Sequence, residues 1–145
     1  MKKPSKIVIK IVKKVSLKDM VSLYKDAGWW DPLNDNTDKL KGIIKGSAFF
    51  AAAFRKKEMV GMGRVLSDFV SDAYIQDLVV KKKFRGKGIG KRILLKLVKE
   101  LKKRNINWIG VIAEPKTSKF YKKLGFKKLK NHLPLKYNMF EDKQY

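Results

Sequence analysis

The 145-residue chain contains no cysteine, which excludes disulfide bonds, thiolate metal ligands and a thiol nucleophile. Its one histidine, His132, lies among lysines, so we expect no metal site. The longest apolar run, 48–54, is far shorter than the roughly 20 residues that cross a bilayer. The lysines near the start alternate with apolar residues, unlike a secretory signal. We therefore expect a cytoplasmic protein without a membrane partner.

Arginine is scarce: the basic residues comprise 31 lysines and five arginines. The formal net charge of +23 attracts polyanions such as nucleic acids and phosphorylated ligands. Specific recognition of phosphates and bases favours the planar guanidinium group over the lysine ammonium, so no specific nucleic-acid partner is expected. Three interpretations of the charge stay open: a lysine-rich composition without a partner, capture of a polyanionic cofactor, and nucleic-acid affinity.

Length and composition predict one domain that spans residues 1–145. Hydrophobic residues make up 44% of the chain and charged residues 34%, a balance that allows a buried core. No internal repeat, linker or second apolar core interrupts the pattern.

Hydrophobic periodicity predicts elements in the order β-α-α-β-β-β-α-β-α-β-β. Ser16 is the predicted N-cap of the first helix, which ends near Gly28, and Thr37 is the predicted N-cap of the second, which ends at Gly46. The predicted strands cover residues 6–15, 47–54, 59–67, 73–81, 108–113, 126–129 and 135–140. The order strand, glycine turn, helix, strand within 73–113 predicts a parallel crossover, whereas the other strands are largely antiparallel. The fold class is therefore α+β, with a mixed, mostly antiparallel sheet.

The glycine-rich segment 82–90 joins a predicted strand to a predicted helix. Main-chain N–H groups at a helix N-terminus are unpaired and favour an anion, and glycines let the main chain approach phosphates closely. A P-loop would need a Ser or Thr after its lysine, but Gly90 is followed by Lys91 and Arg92. The Rossmann fingerprint G-x-G-x-x-G is not met either, because Gly86, Gly88 and Gly90 give G-x-G-x-G.

Two motifs in this part of the chain carry a resemblance to a known family. Arg85-x-x-Gly88-x-Gly90 fits the pattern [RQ]-x-x-G-x-[GA], and residues 120–126 read F-Y-K-K-L-G-F. Together they resemble the pyrophosphate turn and the F-Y-x-x-L-G-F motif of the GNAT N-acetyltransferases. The resemblance is specific for residues 73–129 and covers the remainder in topology only. It implies the acyl-CoA N-acyltransferase fold, with a splayed parallel pair of central strands and helices on both faces of the sheet.

The resemblance also implies a binding site for acetyl-CoA. The main chain of Leu78, Val79 and Val80 would bind the pantetheine amides and the thioester carbonyl, stabilising the oxyanion when an amine attacks directly. The residues that would wrap the pyrophosphate are Arg85, Gly86, Lys87, Gly88, Ile89, Gly90 and Lys91.

For the proton transfers, the resemblance implies that Tyr121 is the general acid that protonates the leaving thiolate. The family often places an acidic residue where this chain has Gln76, which cannot act as a base. Asp77 is the candidate base, although strand alternation turns it to the opposite face unless a bulge re-aims it. A water chain, or an amine that binds already neutral, is an equal alternative. Glu114 stands where many relatives have a cofactor-binding Asn, so Lys116 or Ser118 would have to replace that contact.

The predicted acceptor is a small primary amine. Seven of the 13 acidic residues lie in two segments, 26–38 and 68–77, that can border the acceptor side in this fold. Trp29, Trp30, Asp31 and Gln76 are the candidate acceptor-binding residues, with the tryptophans offering an aromatic wall or a cation–π contact. The alternative is that the aspartates cap turns and the tryptophans fill the core.

Three further alternatives stay open. The first is that the acceptor is a protein N-terminus or lysine on a basic, RNA-associated protein. The second is that the GNAT fold uses another acyl-CoA or senses CoA without catalysis. The third is a non-enzymatic module that binds nucleic acid with strong salt dependence. A homodimer is compatible with the resemblance, since dimers are common in the family.

Overall fold

A five-stranded sheet organises the first part of the chain. In the computed structural model, which describes residues 5–138, the strands lie in the order β1-β2-β3-β4-β5. All neighbouring pairs are antiparallel except β4 and β5, which are parallel as predicted. The elements are β1 (Ile7–Ile11), α1 (Leu17–Ala27), α2 (Thr37–Gly46), β2 (Phe49–Arg55), β3 (Glu58–Ser67), β4 (Asp72–Val80), a 3-10 turn (Lys82–Phe84), α3 (Ile89–Lys103), β5 (Trp108–Val111) and α4 (Ser118–Lys123). The chain divides into two compact units, Met1–Val111 and Ile112–Tyr145, and the predicted single domain stays a prediction.

The ends of α1 follow the sequence signals. Ser16 Oγ accepts the main-chain N–H of Asp19 at 3.2 Å, and Gly28 ends the helix with a φ of 78°. The predicted N-cap of α2, Thr37, is wrong by one residue, because the side chain of Asn36 accepts the N–H of Lys39 at 2.9 Å. Asn36 has the extended backbone that an N-cap requires, so Thr37 becomes the first helical residue.

Helices cover both faces of the sheet, as the resemblance implied. On one face, Met20 and Leu23 of α1 and Leu40 of α2 are buried in a cluster with Met62 of β3 and Val79 of β4. On the other face lies α3, whose buried side chains are Ile89, Ile93, Leu94, Leu97 and Leu101. The sheet is therefore the middle layer of a three-layer α+β arrangement.

Two glycines of β3 let α3 approach the sheet closely. A Cβ on Gly61 would lie 3.0 Å from Ile93 Cδ1, and a Cβ on Gly63 would lie 3.0 Å from Ile93 Cγ2 and 3.1 Å from Leu78 Cδ1. Both glycines are paired with, or adjacent to, the second half of β4. Their lack of a side chain thus sets the spacing between α3 and that half of the strand.

We expect Gly63→Ala to lower the free energy of unfolding by about 1–3 kcal/mol, because the added methyl group must displace packed side chains of α3 and β4. Urea denaturation measures this change. Gly42→Ala in α2 is the matched control, since a Cβ built on Gly42 would meet no described heavy atom within 4 Å and alanine is the better helix former. It should raise stability by about 0.5–1 kcal/mol. Equal effects at the two positions would contradict the packing role of Gly63.

The second unit contains α4 and the chain that follows it. Tyr121 lies between the rings of Phe120 and Phe126, with centroids 5.1 and 5.6 Å away, and Gly125 follows the helix with a φ of 100°. The predicted strand 126–129 is wrong, and so is 135–140 as far as residue 138; residues 139–140 lie outside the described part. Leu133 and Leu135 are more than four-fifths exposed, so these apolar residues gain no burial from a strand partner.

Two other predicted strands are longer than the observed ones: β1 ends at Ile11 and β5 ends at Val111. Within residues 5–138, no helix is long and apolar enough to cross a membrane.

Candidate active site

The glycine turn between β4 and α3 has an open, unstrained main chain. Gly86 and Gly88 have φ values of 77° and 78°, a region that side chains of L-residues rarely adopt. No heavy atom in the described part of the chain lies within 4 Å of a Cβ built on either glycine. The two residues therefore leave space in which a ligand can approach the main chain.

The turn leads directly into the N-terminus of α3. Gly88 is the N-cap, and among the described residues no side chain caps the helix. The first helical hydrogen bond joins the Arg92 N–H to the Gly88 carbonyl, at 3.1 Å. The N–H groups of Ile89, Gly90 and Lys91 precede that bond and face out of the helix end, where the helix dipole is positive. This geometry suits an anion such as a phosphate.

The side chains around the turn are strongly cationic. Residues 81–92 contain seven lysines and arginines and no acidic residue. The buried ring of Phe84 has Arg55, Lys83 and Lys87 at 5.2, 5.4 and 5.7 Å from its centroid, so three cations lie close to the start of the turn. Arg85 Nε donates to the Val80 carbonyl at 2.8 Å, which anchors the turn to the end of β4.

Among residues 5–138, the second half of β4 has no ladder partner on its β5 side. The parallel pairing runs from Asp72–Trp108 to Ile75–Val111, whereas β4 continues through residues 76–80. Within the described residues of the first unit, the two central strands thus pair over four positions, and the pairing stops where β5 ends at Val111. The predicted binding residues Leu78, Val79 and Val80 lie in this half, which pairs with β3 on its other side, immediately before the turn.

A bulge in β4 changes the direction of Asp77. Met62 of β3 pairs with Val79 of β4, and Arg64 pairs with Gln76. Between these two pairs β4 therefore advances three residues where β3 advances two. Asp77 takes up the extra residue with a φ of 52°. Its side chain consequently lies on the α1 face of the sheet, whereas regular alternation would have placed it on the α3 face.

Asp77 is bound by two side chains that the sequence alone did not single out. Its Oδ2 accepts hydrogen bonds from Tyr24 Oη at 2.7 Å and from Arg64 Nε at 2.8 Å. Arg64 Nη1 also lies 3.4 Å from Ser47 Oγ. Burial first, and then the Asp77 charge, raise the pKa of Tyr24 far above its ordinary value, so its hydroxyl remains a donor. The signal in the sequence was Arg64 itself. It is the one charged residue of the segment 59–67, and a charge in such a strand requires a partner.

The candidate acceptor residues divide between the core and a loop. Trp29 and Trp30 are half-buried and pack against the α1 face cluster, with the Trp29 ring 5.7 Å from that of Tyr24. Gln76 is half-buried opposite Arg64. Asp31 is exposed and accepts from the Leu33 N–H at 3.0 Å.

The carboxylates of Asp31 and Asp35 accept hydrogen bonds from residues of the same loop. Asn34 Nδ2 donates to Asp31 at 2.6 Å, and this bond with the Leu33 N–H lowers the pKa of Asp31. Asp35 accepts the Asp31 N–H at 2.8 Å and pairs with Lys39, and these contacts lower the pKa of Asp35. The Asp35 charge also contributes to the raised pKa of Tyr24, so it acts on the Tyr24–Asp77 pair.

The candidate general acid belongs to the second unit. Burial, and then the charge of Glu114, raise the pKa of Tyr121. Glu114 itself is exposed, and its carbonyl accepts from Thr117 Oγ1 at 2.7 Å. Ser118 is the first residue of α4, and Lys116 has a φ of 67°. No group of three or more histidine or carboxylate side chains that could hold a metal ion occurs within 5–138.

Known proteins resemble this chain in sequence. The acetyltransferase (GNAT) domain family matches residues 20–134. The chain is 34% identical over 116 residues to the uncharacterized N-acetyltransferase ycf52 of Gracilaria tenuistipitata var. liui, covering 77% of this chain and 62% of that protein. It therefore spans about two thirds or less of the length of the first curated relatives.

Solved structures show the same fold. A GNAT family acetyltransferase from Streptococcus pneumoniae superposes with a TM-score of 0.79 at 24% identity, over 93% of this chain and all of that one. A predicted acetyltransferase from Clostridium acetobutylicum, solved with acetyl-CoA, superposes with a TM-score of 0.70 at 24% identity, over 90% and 96% of the two chains. The predicted acyl-CoA N-acyltransferase fold is confirmed, and the match across residues 20–134 establishes that the chain belongs to the GNAT acetyltransferase family.

Proposed function

We propose that the protein is an N-acetyltransferase that transfers acetyl from acetyl-CoA to a primary amine. One observation carries the proposal: the half of β4 that extends beyond its pairing with β5 leads directly into a cationic, glycine-rich helix start without a side-chain cap. An extended amide-containing arm can bind along the strand while its pyrophosphate binds at the helix. Coenzyme A is a molecule with both parts joined in that order.

The residues present fit the cofactor. The main-chain N–H groups of Gly88, Ile89, Gly90 and Lys91 would bind the pyrophosphate, and the side chains of Arg85 and Lys87 would neutralise it. The main chain of Leu78, Val79 and Val80 would bind the pantetheine amides. A donor from this strand aimed at the thioester oxygen would stabilise the negative charge that develops there.

The chain's side chains favour direct transfer. With no cysteine, it cannot form a thioester acyl-enzyme. In the proposed reaction the bound amine attacks the thioester carbonyl directly. Tyr121 then donates its phenolic proton to the departing thiolate. A phenol is protonated at neutral pH, as this role requires, and burial followed by the Glu114 charge raises the pKa of Tyr121 further. The proton on the incoming amine leaves through water.

A small primary amine is the acceptor that we favour. The support is the combination of half-buried aromatic rings at Trp29 and Trp30 with carboxylates at Asp31 and Asp35, a pairing that suits a cation. The alternative acceptor, an amine on a basic or RNA-associated protein, would use the same site with a broader docking surface. The cytoplasmic location, a homodimer and the absence of a specific nucleic-acid partner stay predictions.

An assay of free thiol release tests the proposed activity. Acetyl-CoA is mixed with the protein and a panel of primary amines and basic peptides, and the thiol of coenzyme A is detected as it appears. Amine-dependent release with sequential rather than ping-pong kinetics supports direct transfer. No release with any amine or peptide, together with salt-sensitive binding of nucleic acid, would favour the non-enzymatic polyanion-binding alternative.

The acidic loop gives a prediction about the acceptor. We expect Asp31→Asn and Asp35→Asn each to raise the KM of a cationic amine by about three- to tenfold, because each removes a charge near the aromatic pair. The KM for acetyl-CoA should not change. Steady-state kinetics with both substrates measure the difference, and Glu100→Gln, in α3 and outside both acidic segments, is the control. An unchanged acceptor KM in both variants would rule out an acidic acceptor site at this loop.

A further inference from the structure

We propose that Asp77 is a positioning residue: its bonds with Tyr24 and Arg64 hold the bulge of β4, and the bulge directs the main chain that binds the thioester. The inference rests on the proposed function, because it assigns a role within that site. It differs from the role of proton acceptor that the sequence suggested for Asp77.

The bulge resets the alternation of β4 by one residue. Ile75 is paired with Val65, and Leu78 lies on the α3 face, where its Cδ1 is 3.1 Å from a Cβ built on Gly63. Without the extra residue, position 77 would occupy the α3 face in place of Leu78, and a carboxylate would enter an apolar core. The bulge therefore keeps the charge on the α1 face and sets the main-chain direction from Leu78 onward.

The left-handed conformation of Asp77 is held from two other elements. A non-glycine residue with φ near 52° is strained, and such strain persists only where the surroundings hold it. The Tyr24 hydroxyl comes from α1 and the Arg64 guanidinium from β3, and both bind the same oxygen, Oδ2. The side chains of Arg64 and Asp77 are only 14% and 22% exposed, so water competes little for these bonds.

The same contacts argue against proton transfer at Oδ2. Two donors already occupy that oxygen, at 2.7 and 2.8 Å. Protonation there would require one of these bonds to break, and with it one of the two restraints on the bulge. A positioning role uses both bonds as they stand.

Three substitutions at position 77 separate the two roles. Glycine adopts positive φ without strain and asparagine tolerates it, whereas alanine does not. If Asp77 positions the bulge, the kcat of Asp77→Gly and Asp77→Asn should stay within about tenfold of wild type, and Asp77→Ala should be roughly tenfold below Asp77→Gly. A proton acceptor would instead lose about 10²- to 10⁴-fold in all three variants alike, with a shifted acid limb of the pH profile.

Tyr24→Phe tests the second bond while keeping the aromatic ring. We expect its kcat to fall several-fold, with KM for acetyl-CoA and the acid limb unchanged. Tyr74→Phe is the matched control, because Tyr74 lies on the same strand with its side chain exposed, and its kcat should not change.

Thermal denaturation supplies a readout that needs no turnover. In a regular strand, alanine is more stabilising than glycine, but at a bulge with positive φ the order reverses. Asp77→Gly should therefore unfold at a higher temperature than Asp77→Ala. If that order holds while the wild type shows no acetyl transfer, the proposed function fails and the role of Asp77 in the bulge stands. The opposite order, or equal loss of activity in all three variants, would overturn the inference.

Discussion

Gly88→Trp is expected to abolish the stabilisation of the protein by acetyl-CoA. Gly88 caps α3 with a φ of 78°, and the space beside it is open in the described structure. An indole there would fill the space that the pyrophosphate needs. For the wild type, ligand at about 100 times its Kd should add about 2.7 kcal/mol, which is roughly 5–10 °C in the denaturation midpoint for a chain of this size.

The controls separate lost binding from lost folding. Gly88→Trp should lower the midpoint of the free protein modestly, through strain at positive φ. Gly42→Trp places the same side chain on the exposed surface of α2, and it should keep the full response to acetyl-CoA. The measurement is made at low and high salt, because a merely electrostatic interaction with the cationic surface weakens with salt. A full response in Gly88→Trp would show that the ligand binds elsewhere.

Tyr121→Phe should lower kcat by about 10²- to 10⁴-fold and leave the midpoint shift with acetyl-CoA intact. The substitution removes the phenolic proton and keeps the ring between Phe120 and Phe126, so packing in the second unit is conserved. Steady-state thiol release gives kcat, and thermal denaturation gives binding. A kcat within a few-fold of wild type would assign Tyr121 to packing alone.

The pH dependence of kcat gives a second test of Tyr121 as the general acid. A general acid works in its protonated form, so kcat falls as pH rises through the pKa of Tyr121. Burial and the Glu114 charge raise that pKa, so the fall occurs at a higher pH than for an ordinary tyrosine. Glu114→Gln removes the charge and should move the fall to lower pH, with the effect of burial left in place. A shift toward higher pH, or none, would contradict the assignment.

Features encoded by neighbouring residues were predictable. Ser16 with Asp19, and Gly28, mark the ends of α1 because capping depends on residues three or four positions apart. The glycine turn was visible because strand, glycines and helix follow one another in the chain. The parallel pairing of β4 with β5 followed from the same order.

Features that depend on distant residues were not predictable from one sequence. The bonds from Tyr24 and Arg64 to Asp77 join residues 53 and 13 positions apart, and the bulge shows only in the register of β4 with β3. The predicted strand 126–129 was wrong because apolar residues indicate a strand only where a partner strand exists. Asn36 and Thr37 are adjacent residues that can both cap, and the backbone conformation decides between them.

The missing side-chain cap of α3 has a consequence for how the protein distributes its stability. Ser, Thr, Asp and Asn are the usual capping residues, but glycine stands at position 88, where the φ of 78° would strain any of them. The buried side chain of Ile89 anchors the first turn of α3, while the main-chain amides of that turn remain available to an external acceptor. In the free protein these amides should exchange with solvent deuterium faster than the rest of α3, and become protected when an anion binds. An anion bound at this end would complete the helix, so we expect its first turn to be less stable in the free protein than in the bound one.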